Sequence, residues 1–222
     1  MSRRPARRAA WGGAALLALA LAAPPRAQIA VGADVSVGPS VTALGTRGVV
    51  RAGGVALPLG EVSFPTSVGV DARARVEVRG PSLGGRFGVG YLSASDVFDG
   101  ASLFNQRGLD LQFLLASAEL TLRQPFQGGR LLVGVGPEVR ALVGGGGGLT
   151  RYLGDVRDGH LALGASVGAR FAVGGVVVGP EVRAGLALTP FSDGTITALG
   201  GAVELDGSFR FDHLSVSVTV GV

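Results

Sequence analysis

The chain has 222 residues, 20 of them basic and 16 acidic, with two histidines, no cysteine and a formal net charge of +4. Without cysteine there is no disulfide framework, no thiolate metal site and no lipid anchor on an N-terminal cysteine, and two histidines cannot make a multi-histidine zinc site, so no cofactor is expected. Five of the arginines and none of the acids fall in residues 1–27, which leaves fifteen basic against sixteen acidic residues in the remainder and gives no reason to expect a nucleic-acid partner.

Residues 1–27 read as a cleavable secretory signal. Arg3, Arg4, Arg7 and Arg8 form a basic start, Ala14 to Ala23 an apolar stretch too short for a membrane helix, and cleavage falls at Ala27 or near Ala23. No later run of about 20 apolar residues exists, so no helical span is expected in residues 28–222. That length suits one barrel with loops.

From Ile29 to Val41 apolar residues alternate with small or polar ones, the mark of a strand whose side chains point to opposite faces with a period of two. Residues 49–64 are ambiguous. Val55, Leu57 and Leu59 fit either an extension hairpin of the first loop or two further strands. Val68 to Arg79 alternates without error, with Val68, Val70, Ala72, Ala74, Val76 and Val78 against Asp71, Arg73, Arg75, Glu77 and Arg79. Gly80-Pro81-Ser82 turns into a strand carrying Leu83, Phe87, Val89 and Tyr91 opposite Arg86 and glycines. Between Leu109 and Arg123 the apolar parity changes at Phe113-Leu114, which predicts a β-bulge there.

Pro125 to Gly129 is a turn into Leu131–Ala141, followed by a strand over His160–Ala172, a Gly174-Gly175 hairpin and a strand over Val176–Leu186. The last strand is Leu214–Val222, begun at Phe209 with a slip at Asp212-His213. Val135-Gly136-Pro137-Glu138-Val139-Arg140-Ala141 nearly repeats as Val178 to Ala184 and more faintly as Val37 to Ala43. Since proline cannot donate to a ladder, each copy predicts a local break or bulge, in either a shared lumen layer or a duplicated hairpin.

The connections alternate between long (42–66, 94–108, 144–158, 189–208) and short (80–82, 124–129, 173–175). Short periplasmic turns and long outer loops are the habit of membrane barrels. The fold class is therefore all-β, an eight-stranded antiparallel up-and-down transmembrane β-barrel, or ten-stranded if residues 49–64 add a pair. The apolar face is mostly Val, Leu and Ala and poor in the aromatics on which soluble cores rely, so it is assigned to lipid. A sheet in lipid must close, because unpaired backbone groups there cost several kcal/mol each.

The inward face then holds Asp34, Asp71, Arg73, Arg75, Glu77, Arg79, Arg86, Glu119, Arg123, Glu138, Arg140, Arg170, Glu181 and Arg183. An Arg on the lipid side would cost roughly 2–4 kcal/mol near the midplane. An eight-stranded interior is just wide enough to be filled by side chains, so an Arg–carboxylate network is expected in place of a wide pore, with Glu138, Arg140, Glu181 and Arg183 as central members.

The signal, the amphipathic strands, the alternating connections and the closing strand together resemble the small outer-membrane β-barrels of the OmpA/OmpX type across residues 28–222. The resemblance implies an outer-membrane location, contact with membrane lipid and lipopolysaccharide, a monomeric state, and a C-terminal assembly signal at Leu214, Val216, Val218, Val220 and Val222 for the barrel-assembly machinery. Such signals usually end in an aromatic and this one ends in Val. Candidates for aromatic girdles are limited to Phe87, Tyr91, Phe113, Phe126, Phe171, Phe209 and Phe211.

Gly144 to Gly148 lacks the Lys-Ser/Thr of a phosphate loop and reads as a mobile outer loop. His160, near Asp155 and Asp158, is the one candidate for a general base, but a lone solvated histidine is the commoner state, and His213 has no evident nucleophile; no enzyme is expected. The function read from the sequence is a non-enzymatic barrel with a structural or narrow porin-like role. The alternatives are a surface-binding barrel acting through loop residues Phe98, Phe104, Tyr152 and Phe191, and, more remotely, a soluble secreted barrel.

Overall fold

In a computed structural model, the described residues are 29–63, 66–97, 109–145, 155–157, 159–198 and 202–222. Residues 1–27, read above as a secretory signal, the glycine run beyond Gly145, Asp158, Phe98, Phe104 and Tyr152 lie outside them. The described residues contain no helix. Among the described residues eleven strands form: β1 (Ala30–Ala52), β2 (Val55–Ser63), β3 (Ser67–Arg79), β4 (Leu83–Val97), β5 (Leu109–Phe126), β6 (Gly129–Gly144), β7 (Asp155–Val156), β8 (Gly159–Val173), β9 (Val176–Ala187), β10 (Ser192–Ala198) and β11 (Val203–Gly221).

Eight of these close a ring in the order β1, β3, β4, β5, β6, β8, β9, β11, and β11 pairs back onto β1. Every neighbouring pair is antiparallel. The ring strands run from 12 to 23 residues, enough for a tilted strand to cross hydrocarbon. Closure leaves no free edge within the ring, which is the condition for a sheet in lipid.

Tight turns join β3 to β4, β5 to β6 and β8 to β9 at one end. Gly174 and Gly175 both hold positive φ (57° and 91°), the geometry of a two-residue hairpin turn that matches strand twist. At the other end β1 and β11 continue as a ladder from Val41↔Leu214 out to Ala52↔Val203. There, among the described residues, β2 pairs only with β1, as the extension-hairpin reading of residues 49–64 requires, while β10 flanks β11 and β7 flanks β10. A sheet in the order β2, β1, β11, β10, β7 thus continues past the ring.

Three sequence expectations are corrected. The pairing of β4 with β5 runs without a shift from Leu83↔Leu122 to Ala94↔Leu111, so no bulge reverses the faces at Phe113-Leu114; one irregularity against β6 lies at Gln112/Phe113. Leu111, Phe113 and Leu115 simply point inward with Glu119. Likewise β11 keeps one register against β1 throughout, with no slip at Asp212-His213, and Phe209 and Phe211 are buried inside. At Pro39, Pro137 and Pro180 the register is the same on both sides, so the repeated Gly-Pro makes no bulge. The glycine before each proline instead admits a close carbonyl from the adjacent strand, at Val216, Ala118 and Ala169 respectively.

Alternation sorts the wall as the pleat demands. Val35, Val37, Val76, Val89, Leu120, Val133, Val167, Val182, Val216 and Val218 are all exposed on the outside. Such a continuous apolar girdle far exceeds the patches that soluble monomers show, and a bilayer is the solvent that suits it.

Candidate functional site

The middle of the barrel is filled by five guanidinium groups and five carboxylates. Arg73 donates to Asp71 (2.7 Å) and Glu138 (2.6 Å), and Arg75 to Asp34 (2.6 Å) and Glu181 (2.5 Å). Arg86 donates to Glu119 (2.6 Å), Glu181 (2.9 Å) and the Ser166 hydroxyl (2.7 Å). Arg140 holds Glu138 (2.8 Å) and the Phe211 carbonyl, and Arg183 joins Glu119 to Glu138 (3.1 Å to the latter). The pairs therefore form one connected network. Glu138, with side-chain exposure of 0 %, is its hub, accepting from Arg73, Arg140 and Arg183.

Burying an ion costs several kcal/mol even after relaxation, and only paired, hydrogen-bonded geometry offsets that cost. Equal numbers of opposite charges and multiply shared oxygens meet the condition here. His213 is drawn into the same layer. Its ring lies 2.8 Å from Arg140 Nη2 and 3.6 Å from Asp71, which accepts from the Ser215 hydroxyl (2.8 Å) as well as from Arg73.

Room for so many long side chains comes from glycines on the same face. A Cβ at Gly164 would sit 2.6 Å from Arg183 Nη2, one at Gly168 2.7 Å from Arg170 Nη1, and one at Gly90 2.9 Å from Arg73 Cγ. At Gly185 an added Cβ would collide with both the Arg140 guanidinium and the His213 ring. The many lumen glycines and the many lumen arginines are two halves of one packing solution.

Above this layer, toward the loops, the interior turns apolar. Leu44, Leu92, Ala94, Val97, Leu111, Phe113, Leu115, Phe191, Phe209 and Phe211 form a buried cluster across the barrel mouth. Phe113 and Phe211 lie 4.8 Å apart, and Phe191 packs edge-on to Phe211 at 6.3 Å. Three girdle candidates, Phe113, Phe209 and Phe211, are thereby relocated from the lipid side to the interior, while Phe87, Phe126 and Phe171 stay outside. Phe191, read as a loop contact residue, is 1 % exposed within this cap.

His160 is likewise not solvated. It is buried against Phe113 (5.6 Å) and Phe191 (6.0 Å), with Nε2 lacking a hydrogen-bond partner. The cap departs from the expectation that apolar residues face lipid. The signal that would have found it is parity, since Leu111, Phe113 and Leu115 share the odd positions of Glu119 and Arg123.

At the turn end, Glu77 meets Arg79 (3.2 Å) and Arg123, and Arg170 reaches Glu181. A cavity of about 470 Å³ opens there, lined by Glu77, Arg79, Arg123, Arg130 and Arg170 among others. On the outside of the closing strand, Leu214, Val216, Val218, Val220 and Val222 all face away from the lumen and are between 42 % and 66 % exposed.

A closed eight-stranded ring with short turns at one end, extended strands at the other, a charged interior and an aliphatic exterior defines the class: the chain has the fold of the small bacterial outer-membrane β-barrels, and the outer membrane is the bilayer that fold inhabits. Among solved structures it is similar to the outer membrane protein OprG from Pseudomonas aeruginosa, with a TM-score of 0.52, 7 % identity, and coverage of 88 % of this chain and 98 % of that one. Weaker similarities are to Neisserial surface protein A (TM-score 0.41, 16 % identity, 83 % and 97 % covered) and to the outer membrane protease OmpT from Escherichia coli (TM-score 0.42, 9 % identity, 89 % and 98 % covered). No protein-family model and no curated protein sequence matches the chain.

Proposed function

We propose that the protein is a non-enzymatic, monomeric outer-membrane barrel with a sealed lumen, serving the envelope as a structural element and not as an open pore. The observation that carries this reading is the neutral network of Arg73, Arg75, Arg86, Arg140 and Arg183 with Asp34, Asp71, Glu119, Glu138 and Glu181, whose side chains are at most 7 % exposed. The aromatic cap above it adds a second seal. Both histidines are buried and engaged in packing or hydrogen-bond contacts, which supports a role without catalysis. Residues 1–27 act as the export leader in this reading, the outward residues Leu214 to Val222 engage the assembly machinery, and lipopolysaccharide surrounds the outer leaflet half of the wall.

Planar-bilayer recording tests it. The wild-type protein and the Phe113→Ala variant, which opens the cap but leaves the ionic layer, are both expected to be silent. Conductance steps that change on charge reversal at Glu138 or Arg140 would refute the seal and establish a porin. A second reading, surface binding, is favoured by one feature: the sheet beyond the ring presents Val55 and Leu57, 57 % and 59 % exposed, on a hairpin whose outer edge is unpaired among the described residues.

A further inference from the structure

The charge balance of the interior is uneven along its axis. The central layer pairs five arginines with five acids, whereas the turn-end mouth sets Arg79, Arg123, Arg130 and Arg170 against Glu77; Asp34 also lines the mouth but is counted with the central layer, where Arg75 holds it. Glu77 is already shared by Arg79 and Arg123, and Arg170 leans on Glu181, which also serves Arg75 and Arg86 in the core. Arg79 further donates to the Val222 main-chain oxygen (2.9 Å). Even if that oxygen carries a full negative charge, the mouth keeps a surplus of two.

Register makes the surplus costlier. Arg130 and Arg170 are direct cross-strand partners on β6 and β8, and like charges placed opposite each other destabilise a sheet. Arg130 has no ion-pair partner among the described residues. All four guanidiniums line the same cavity of about 470 Å³, within the size range of small-ligand sites.

We propose that this mouth is an anion site for phosphate-bearing groups, gripped by the forked donors of Arg79, Arg123, Arg130 and Arg170. Guanidinium forks match the oxygens of a phosphate in both charge and spacing. The phosphate arrives either as a small soluble anion or as the headgroup of a lipid in the adjacent leaflet.

The test is calorimetric titration of inorganic pyrophosphate into the full refolded barrel in neutral maltoside micelles, with and without added phosphatidylglycerol. Saturable one-to-one binding is expected, about tenfold weaker in Arg130→Gln and unchanged in Arg51→Gln, a residue of the outer extension. Glu77→Gln, which releases Arg79 and Arg123 from their acid, is expected to bind several-fold tighter. Gel mobility before and after boiling verifies that each variant is folded, and Arg123→Gln replaces Arg130→Gln if that variant fails. Pyrophosphate binding that survives added lipid identifies a soluble anion, and binding abolished by the lipid in the wild type identifies the headgroup; either supports the site. Absence of saturable heat up to about 10 mM without the lipid, or equal affinity in the wild type and both arginine variants, overturns it.

Discussion

Replacing Glu138 by Gln perturbs the barrel at its electrostatic hub while keeping volume and shape. Three guanidiniums converge on this carboxylate, at 2.6 Å from Arg73, 2.8 Å from Arg140 and 3.1 Å from Arg183. The substitution leaves five arginines facing four acids in a layer closed to water. Removing one member of a buried ion pair costs about 3–5 kcal/mol, and the retained amide oxygen, which still accepts one donor, sets the expectation at the lower end, about 3 kcal/mol. Urea unfolding in lipid vesicles, followed by circular dichroism and by the heat-dependent gel shift, reads this as a fall in midpoint at constant slope.

The companion variant Glu138→Gln/Arg183→Gln restores equal charge numbers, because Glu119 keeps Arg86 when Arg183 is lost, and is expected to recover at least half of the deficit. Asp206→Asn serves as the outer control: its pair with Arg51 spans 3.7 Å with side chains 54 % and 45 % exposed, and exposed pairs are worth about 0–1 kcal/mol. A loss below about 1 kcal/mol for Glu138→Gln, or a double variant no better than the single, would refute the view that charge neutrality holds this interior together.

Gly185→Ala should destabilise by about 1–3 kcal/mol in the same unfolding assay, since the new methyl must displace Arg140 and His213, whereas Gly60→Ala, with open space around it, should be neutral. A Val37→Arg substitution on the lipid side is expected to cost roughly 2–4 kcal/mol, and an equal response to Val37→Arg in micelles and in thick bilayers would argue against membrane contact at that depth.

How much of this was legible beforehand is clearest on two strands. On β3 the alternation of Val and Ala with Asp71, Arg73, Arg75 and Glu77 places the charges on one face from local geometry alone, because side-chain direction reverses at every residue. Turn chemistry at Gly174-Gly175 and the spacing of long and short connections likewise act over a few residues and were readable along the whole chain. On β5 local composition points the other way from the fold. Apolar Leu111 and Phe113 suggest lipid contact and a bulge to turn them outward, but the strand runs on in one phase and carries them into the cap.

Which residues share a face follows from the order of amino acids alone, since a period of two is a property of one strand. Which acid meets which arginine, that Phe191 folds inward, and that the loop-end interior is apolar were decided only by closure. Those contacts join strands as distant as β3 and β6 for Arg73 and Glu138, or β1 and β11 along the seam, and no local pattern encodes a partner that lies across a cylinder.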